Sequence, residues 1–396
     1  MTLSLDLHDP EEVGISARRL ADAAALLDRQ YAAGLTPTAV ALVARHGKLV
    51  WTHAVGDARP SGPPVTLDSV FPIASMGKPM TAAVVMALVE RGMIGLAESA
   101  SLTLPELADD DEDVLVHHLL THTSGWNDDD HVAAREAKLG EAIASVPDGV
   151  DLLTHIMLWP GWGVARRRGV GELNQYCNFN YSLLGEIVRR VTGGTLDAAM
   201  RHYLFEPLGM TSSAMIVGDD LRPRLIERPP GIPLGPDDDG TPLSSNDPLW
   251  EGSDDGASGV FAAAPDLARF LQLFLDQGMA GDTRVLSRDS VRVMTTNQIP
   301  GVGVELGGMS KAEASWGFGF AVAGHEAWPK FGGGLSSPNS IRHGGAGGID
   351  GWADPDTGVV AVCIEVVTES TAEGLPRSWA AHRFQDVVNA SVTSGV

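Results

Sequence analysis

The sequence predicts an α+β fold: one antiparallel sheet built from both ends of the chain and flanked by terminal helices, with a mostly helical domain inserted between. Two observations carry this. Strand-like runs occur near the start (39–55) and again near the end (316–367), while the long middle carries helical periodicity. The chain also has 396 residues, 44% of them hydrophobic, which suffices for a large core. On this reading residues 1–80 and 311–396 form the sheet domain and 81–310 the insertion, with any active site expected at their interface.

Taken in order, 16–33 is an amphipathic helix, with Leu20, Ala23, Ala24, Leu27 and Tyr31 at helical spacing. Residues 39–44 and 49–55 form a hairpin across His46, Gly47 and Lys48. A loop over 60–64 leads to a buried helix. Short helices are expected at 114–120, 133–146 and 150–158. A clear one covers 181–191, with Leu183, Leu184, Ile187, Val188 and Val191 on one side, and another covers 196–204. Residues 223–255, rich in Pro, Gly and Asp, read as a long loop. Helices return at 265–277 and 288–295. Alternation over 316–323 suggests a strand, 359–367 a buried strand, and 376–392 a final helix.

The stretch from Phe71 to Thr81 organises the rest. Ser75 and Lys78 stand three residues apart, so on a helix they share a face. Pro79 is tolerated only in a first turn, which starts the helix close to Ser75. Residues 82–89 are apolar on almost every side, as in a buried helix. Ser75 then lies among unpaired N–H groups. Lys78 is pressed into low dielectric, where its charged form is disfavoured. A neutral amine beside a hydroxyl makes a nucleophile. Alone, the stretch also reads as a plain serine cap with a solvated lysine. Of the lysines, Lys48, Lys78, Lys138, Lys311 and Lys330, only Lys78 follows a serine at this spacing.

The formal net charge of −23 argues against nucleic acid or an anionic membrane as partner. The acidic runs at 109–113, 128–130, 237–239 and 254–255 read mostly as solvated loops. Cys177 and Cys363 make no disulfide framework. The first nine residues hold neither a basic region nor an apolar core, and no apolar run is long enough to span a bilayer, so a cytoplasmic protein is expected. His117, His118, His122 and His131 lack metalloprotease spacing and are expected on helix surfaces, with no metal and no cofactor. No Gly-x-Ser-x-Gly elbow exists, since Val260 stands where the second glycine would be.

Three segments now fall into a pattern: Ser75-Met76-Gly77-Lys78, Tyr176-Cys177-Asn178 and His343-Gly344-Gly345, in that order. With Leu119 to Gly125, Glu206 to Met210 and Asp266 to Phe270, the sequence resembles the serine hydrolases built like class C β-lactamases and D-alanyl-D-alanine peptidases. That family includes esterases of the β-lactamase fold. The resemblance covers about residues 15 to 390 and implies that fold. It implies Ser75 as nucleophile, with Lys78 and Tyr176 both able to act as base; the sequence leaves open which takes the proton. It implies oxyanion donors in the N–H groups of Ser75 and Ala346. Asn178 would hold Lys78 and touch the acyl group. His343, Gly344 and Gly345 would line the substrate, the glycines allowing close approach. Cys177 with His343 is a weaker rival, and a small buried residue is the better reading of Cys177.

Two departures bear on substrate. His343 stands where β-lactamases use a lysine to hold the substrate carboxylate, and Gly344 removes the neighbouring hydroxyl. Both point to a small-molecule acyl substrate, a short ester or an amide. An acyltransferase, a β-lactamase or D-amino-acid peptidase of the same fold, and a non-catalytic binding relative are the alternatives.

Overall fold

A computed structural model describes residues 3–108, 112–148, 150, 152–227, 252–306, 309–324, 333–367 and 381–393. Seven of the described strands form the main sheet: β1 (Ser4–Leu7), β2 (Thr38–Arg45), β3 (Lys48–Gly56), β4 (Ala321–Val322), β5 (Ile341–Gly345), β6 (Ile349–Asp354) and β7 (Val359–Val366). Their order is β1-β3-β2-β7-β6-β5-β4. The two ends of the chain meet at the centre, where β2 and β7 pair antiparallel from Thr38↔Val366 to Arg45↔Val359. The sheet is antiparallel except at one edge, where β1 runs parallel to β3. His46 and Gly47, at φ 50° and 74°, make the tight turn between β2 and β3.

The longer helices are α1 (Ala17–Ala32), α2 (Lys78–Val89), α3 (Asp128–Ala144), α4 (Asn178–Thr192), α5 (Ala264–Leu275) and α6 (Ala381–Ser391). Both faces of the sheet are covered, which is why β2 and β7 read as unbroken apolar runs. Ala41, Val43, Trp352, Ala361 and Phe384 pack on the side of α1 and α6. Val40, Leu42, Val362 and Ile364 belong to the larger core, where α5 lies on β2, β6 and β7. Helix α2 is buried from Lys78 to Leu88 and packs on α4.

Several local expectations change. The alternation over 316–323 yields only the two-residue β4. The residues before it turn, and Gly319 lies so close to α2 that a Cβ would sit 2.8 Å from Pro79 Cα. Helix α3 begins at Asp128, not 133, because Asn127 caps it by accepting the Asp129 N–H at 2.8 Å. Three small sheets among the described residues are unmarked in the sequence because their strands are too short to show a period; one is the hairpin of Met279–Ala280 with Thr283–Arg284. Phe71–Pro72 pairs with Phe261–Ala262, which pairs with Ser213–Ala214. Leu173–Gln175 pairs with Gly303–Leu306. Of the expected loop at 223–255, residues 228–251 lie outside the described residues, as do 376–380 of the last expected helix. Among the described residues no helix is long and apolar enough to cross a membrane.

Candidate active site

Ser75 lies on a 3-10 turn, Ala74–Gly77, directly before α2. Ala74 is at φ 46°, a conformation that costs a non-glycine residue about 1–2 kcal/mol. Buried Ile73 and Met76 on either side hold the turn in place. Ile73 N–H donates to Val260 O at 3.0 Å, tying the turn to the segment 252–260. Ser75 itself is half-buried. Among the described residues no backbone group accepts from the N–H of Ser75 or of Ala346.

Lys78 is fully buried, at 0% exposure. Its Nζ lies 2.8 Å from Ser75 Oγ, 2.6 Å from Asn178 Oδ1 and 3.0 Å from Ala257 O. Burial lowers its pKa to about 8, against the opposing pull of Asp128, Asp255 and Cys177. Asn178 opens α4, and its position is set from outside. Asp128 Oδ1 accepts the Asn178 backbone N–H at 2.8 Å, and Oδ2 accepts from Asn178 Nδ2 at 2.5 Å.

Tyr176 follows the short strand Leu173–Gln175, which the 121–125 loop supports. Asn174 Nδ2 donates to Thr121 O at 2.6 Å, and Gln175 N–H donates to His122 O at 2.8 Å. His122 accepts the Cys177 N–H on Nδ1 at 3.2 Å, and its ring stacks on Tyr176 with centroids 4.3 Å apart. The Tyr176 ring passes 4.9 Å from Lys78 Nζ. Its Oη is buried without a well-formed hydrogen bond among the described residues. Burial raises the phenol well above its usual pKa, and Ser75 is the side chain whose hydrogen bonding opposes that rise.

The third segment reaches the same place along β5. Gly345 pairs with Ile349, and a Cβ on it would lie 2.2 Å from Ile73 O. The glycine is therefore needed for strand β5 to dock on the nucleophile turn, a different reason from the substrate approach expected above. His343 is 5% exposed and stands among Tyr176 and Trp316, with ring centroids 6.1 and 6.0 Å away. Its Nδ1–H donates to Gly344 O at 2.6 Å, which leaves buried Nε2 as an unpartnered acceptor. Burial, with Lys78 second, lowers its pKa to about 3, so the ring is neutral. Ser75, Lys78, Tyr176, Asn178 and His343 thus converge. Further along the same segment Gly344 is half-buried in the strand end and Ala346 is exposed in the turn after it.

Three readings are corrected. Asp128 and the pair Asp254 and Asp255 are not solvated loop acids. Asp255, 1% exposed, accepts from Ser182 Oγ at 2.5 Å and Ser258 Oγ at 2.9 Å, and so shapes the turn that aims Ala257 O at Lys78. Asp254 receives the Leu196 and Asp197 N–H groups, each at 2.7 Å, and burial raises its pKa to about 6. His122 and His131 are buried among aromatic rings, not on helix surfaces. A charge run says nothing about which carboxylate turns inward; of the 128–130 run Asp129 and Asp130 stay outside, at 3.9 and 2.6 Å from Arg167. The one available signal was an Asn followed by acidic residues, a helix start ahead of the apolar period.

Residues 23–379 match the family model described as Beta-lactamase. Esterase EstB of Burkholderia gladioli is 30% identical over 372 residues, covering 85% of this chain and 87% of that protein. Penicillin-binding protein 4 of Amycolatopsis lactamdurans is 31% identical over 319 residues, covering 77% and 74%. The crystal structure of a family VIII carboxylesterase superposes with a TM-score of 0.72 at 21% identity, over 96% of this chain and 99% of that one.

Proposed function

The chain belongs to the Beta-lactamase family, and from that premise we propose that it is a serine esterase for small, neutral carboxylic esters. Ser75 Oγ attacks the ester carbonyl and gives its proton to the Lys78 and Tyr176 pair. The N–H groups of Ser75 and Ala346 receive the oxyanion. The alkoxide takes up a proton and leaves as the alcohol. Water then cleaves the acyl-Ser75 bond, releasing the acid and restoring the hydroxyl. No cofactor enters these steps, and the cytoplasm is the proposed location.

The observation that carries the substrate class is the neutral His343, whose pKa of about 3 leaves no cation in the third segment for a substrate carboxylate. A carboxylate brought to this site would be desolvated without the charged hydrogen bond that offsets part of the loss, on the order of 1.5–3 kcal/mol. A short neutral ester needs only the nucleophile and the oxyanion donors. The test is a panel of p-nitrophenyl esters, amides and a chromogenic cephalosporin. Higher kcat/KM on short esters supports the reading. Faster turnover of the cephalosporin overturns it.

A further inference from the structure

We propose that Asp128 is a positioning residue that acts through Asn178 to aim the lone pair of Lys78 at Ser75; the proposal rests on the reading of Lys78 given above. An ionised carboxylate only accepts. Asp128 meets two N–H donors of Asn178, one on each oxygen, and these favour the carboxylate against the burial that raises its pKa. The geometry therefore fits the ionised form. Because Asn178 must present Nδ2 to this acceptor, its Oδ1 is the atom that faces Lys78 Nζ, at 2.6 Å. The amide cannot flip without placing an oxygen against a carboxylate.

The consequence lies at the amine. Two of the three groups around Nζ, Asn178 Oδ1 and Ala257 O, can only accept. A neutral amine has two N–H bonds, and both are committed there. The lone pair is left for the third direction, where the Ser75 hydroxyl stands 2.8 Å away. A flipped Asn178 would offer Lys78 a donor and draw the lone pair away from Ser75. The carboxylate thus fixes a rotamer one step removed and a lone-pair direction two steps removed from itself.

The charged and titratable groups around Lys78 are Asp128, Asp255, Cys177, Tyr176, Tyr181, His122 and His343. Arg135 and Lys78 face Asp128 from the other side of the balance. Asp128 favours the ammonium form, so its removal moves the Lys78 titration to lower pH while the rate falls. That pair of signs separates positioning from plain fold support.

The experiment measures the second-order rate of labelling by a fluorophosphonate across pH 5 to 10 for the wild type, Asp128→Asn, Asn127→Ala and Lys78→Ala. Asn127→Ala removes the cap of the same helix without touching Asn178, so it reports what helix support alone is worth. The expected result is a tenfold or greater loss for Asp128→Asn with its acidic limb at lower pH, and a loss under twofold for Asn127→Ala. Asp128→Ser serves the same comparison if the amide variant melts below the assay temperature. A labelling rate for the Asp128 variants within twofold of wild type, or a loss with an unmoved limb, overturns the proposal. Lys78→Ala keeps the two readings apart: if it labels normally, the base assignment itself has failed, and if it is silent while Asp128→Asn is normal, only the role of Asp128 has.

Discussion

Lys78 Nζ stands 2.8 Å from Ser75 Oγ, and its remaining partners, Asn178 Oδ1 and Ala257 O, can only accept hydrogen bonds. The ammonium fits this site by donating to the serine. The free amine fits it by accepting from the serine. Which form prevails is a matter of pH, and the burial of Lys78 sets the crossover.

The first expectation is a pH profile. Lys78 has its pKa lowered from the ordinary 10.5 to about 8. A base works in its deprotonated form, so labelling of Ser75 should rise about tenfold per pH unit below that value and level off above it. His343, neutral above about pH 3, adds no limb in this range. The same shift has a sign in stability. The folded lysine binds its proton less readily than the unfolded one, so stability falls as pH drops from 10.5 through 8 and is level below. Thermal melts of wild type and Lys78→Met across pH 8 to 10.5 test this; the variant should lose the slope.

The second expectation concerns the pair. Lys78→Ala and Tyr176→Phe should each lower the acylation rate by roughly 100-fold or more. The Tyr176 ring lies 4.9 Å from Lys78 Nζ, so the groups act as one unit and the double variant should lose less than the product. Single-turnover kinetics give the four rates. Near-normal activity of Lys78→Ala would return the lysine to a packing role.

The third expectation is a specificity shift. His343→Lys restores a cation to the third segment and should raise the ratio of cephalosporin to ester turnover. The replaced side chain is buried at 5% exposure, so the variant is compared by ratio and not by absolute rate. A ratio that does not move would show that His343 does not face the substrate.

A fourth expectation tests docking. Gly345→Ala places a methyl about where Ile73 O now lies, at 2.2 Å. Strand β5 must then move off the nucleophile turn, costing about 1–3 kcal/mol or more. Melting temperature and ester turnover should fall together. Unchanged values would mean the strand adjusts at no cost.

The parts of the fold that bury a long apolar face were legible in the sequence: the hairpin of β2 and β3, strand β7, and helices α1, α4 and α5. The short strands were not, because Phe71–Pro72 and Phe261–Ala262 are too brief to carry a period and form only because tertiary packing brings them together. At the site, the spacing of Ser75 and Lys78 is one that local geometry can interpret, while Tyr176, Asn178 and His343 were singled out by the resemblance. Asp128, Asp255 and His122 reach the site through contacts 50 or more residues away, such as Asn178 to Asp128 and Asp255 to Ser182. Composition records them as loop acids and a stray histidine. Gly345 was singled out, but its constraint, the carbonyl of Ile73, is visible only in three dimensions.

The central claim, that Ser75 is a nucleophile activated by its buried neighbours, is tested most directly by intact mass spectrometry after treatment with a fluorophosphonate. A single adduct is expected, mapped to the peptide holding Ser75, absent from Ser75→Ala, with that variant still folded and inactive on p-nitrophenyl acetate. An adduct on Cys177 or another residue, or normal turnover by Ser75→Ala, would contradict it.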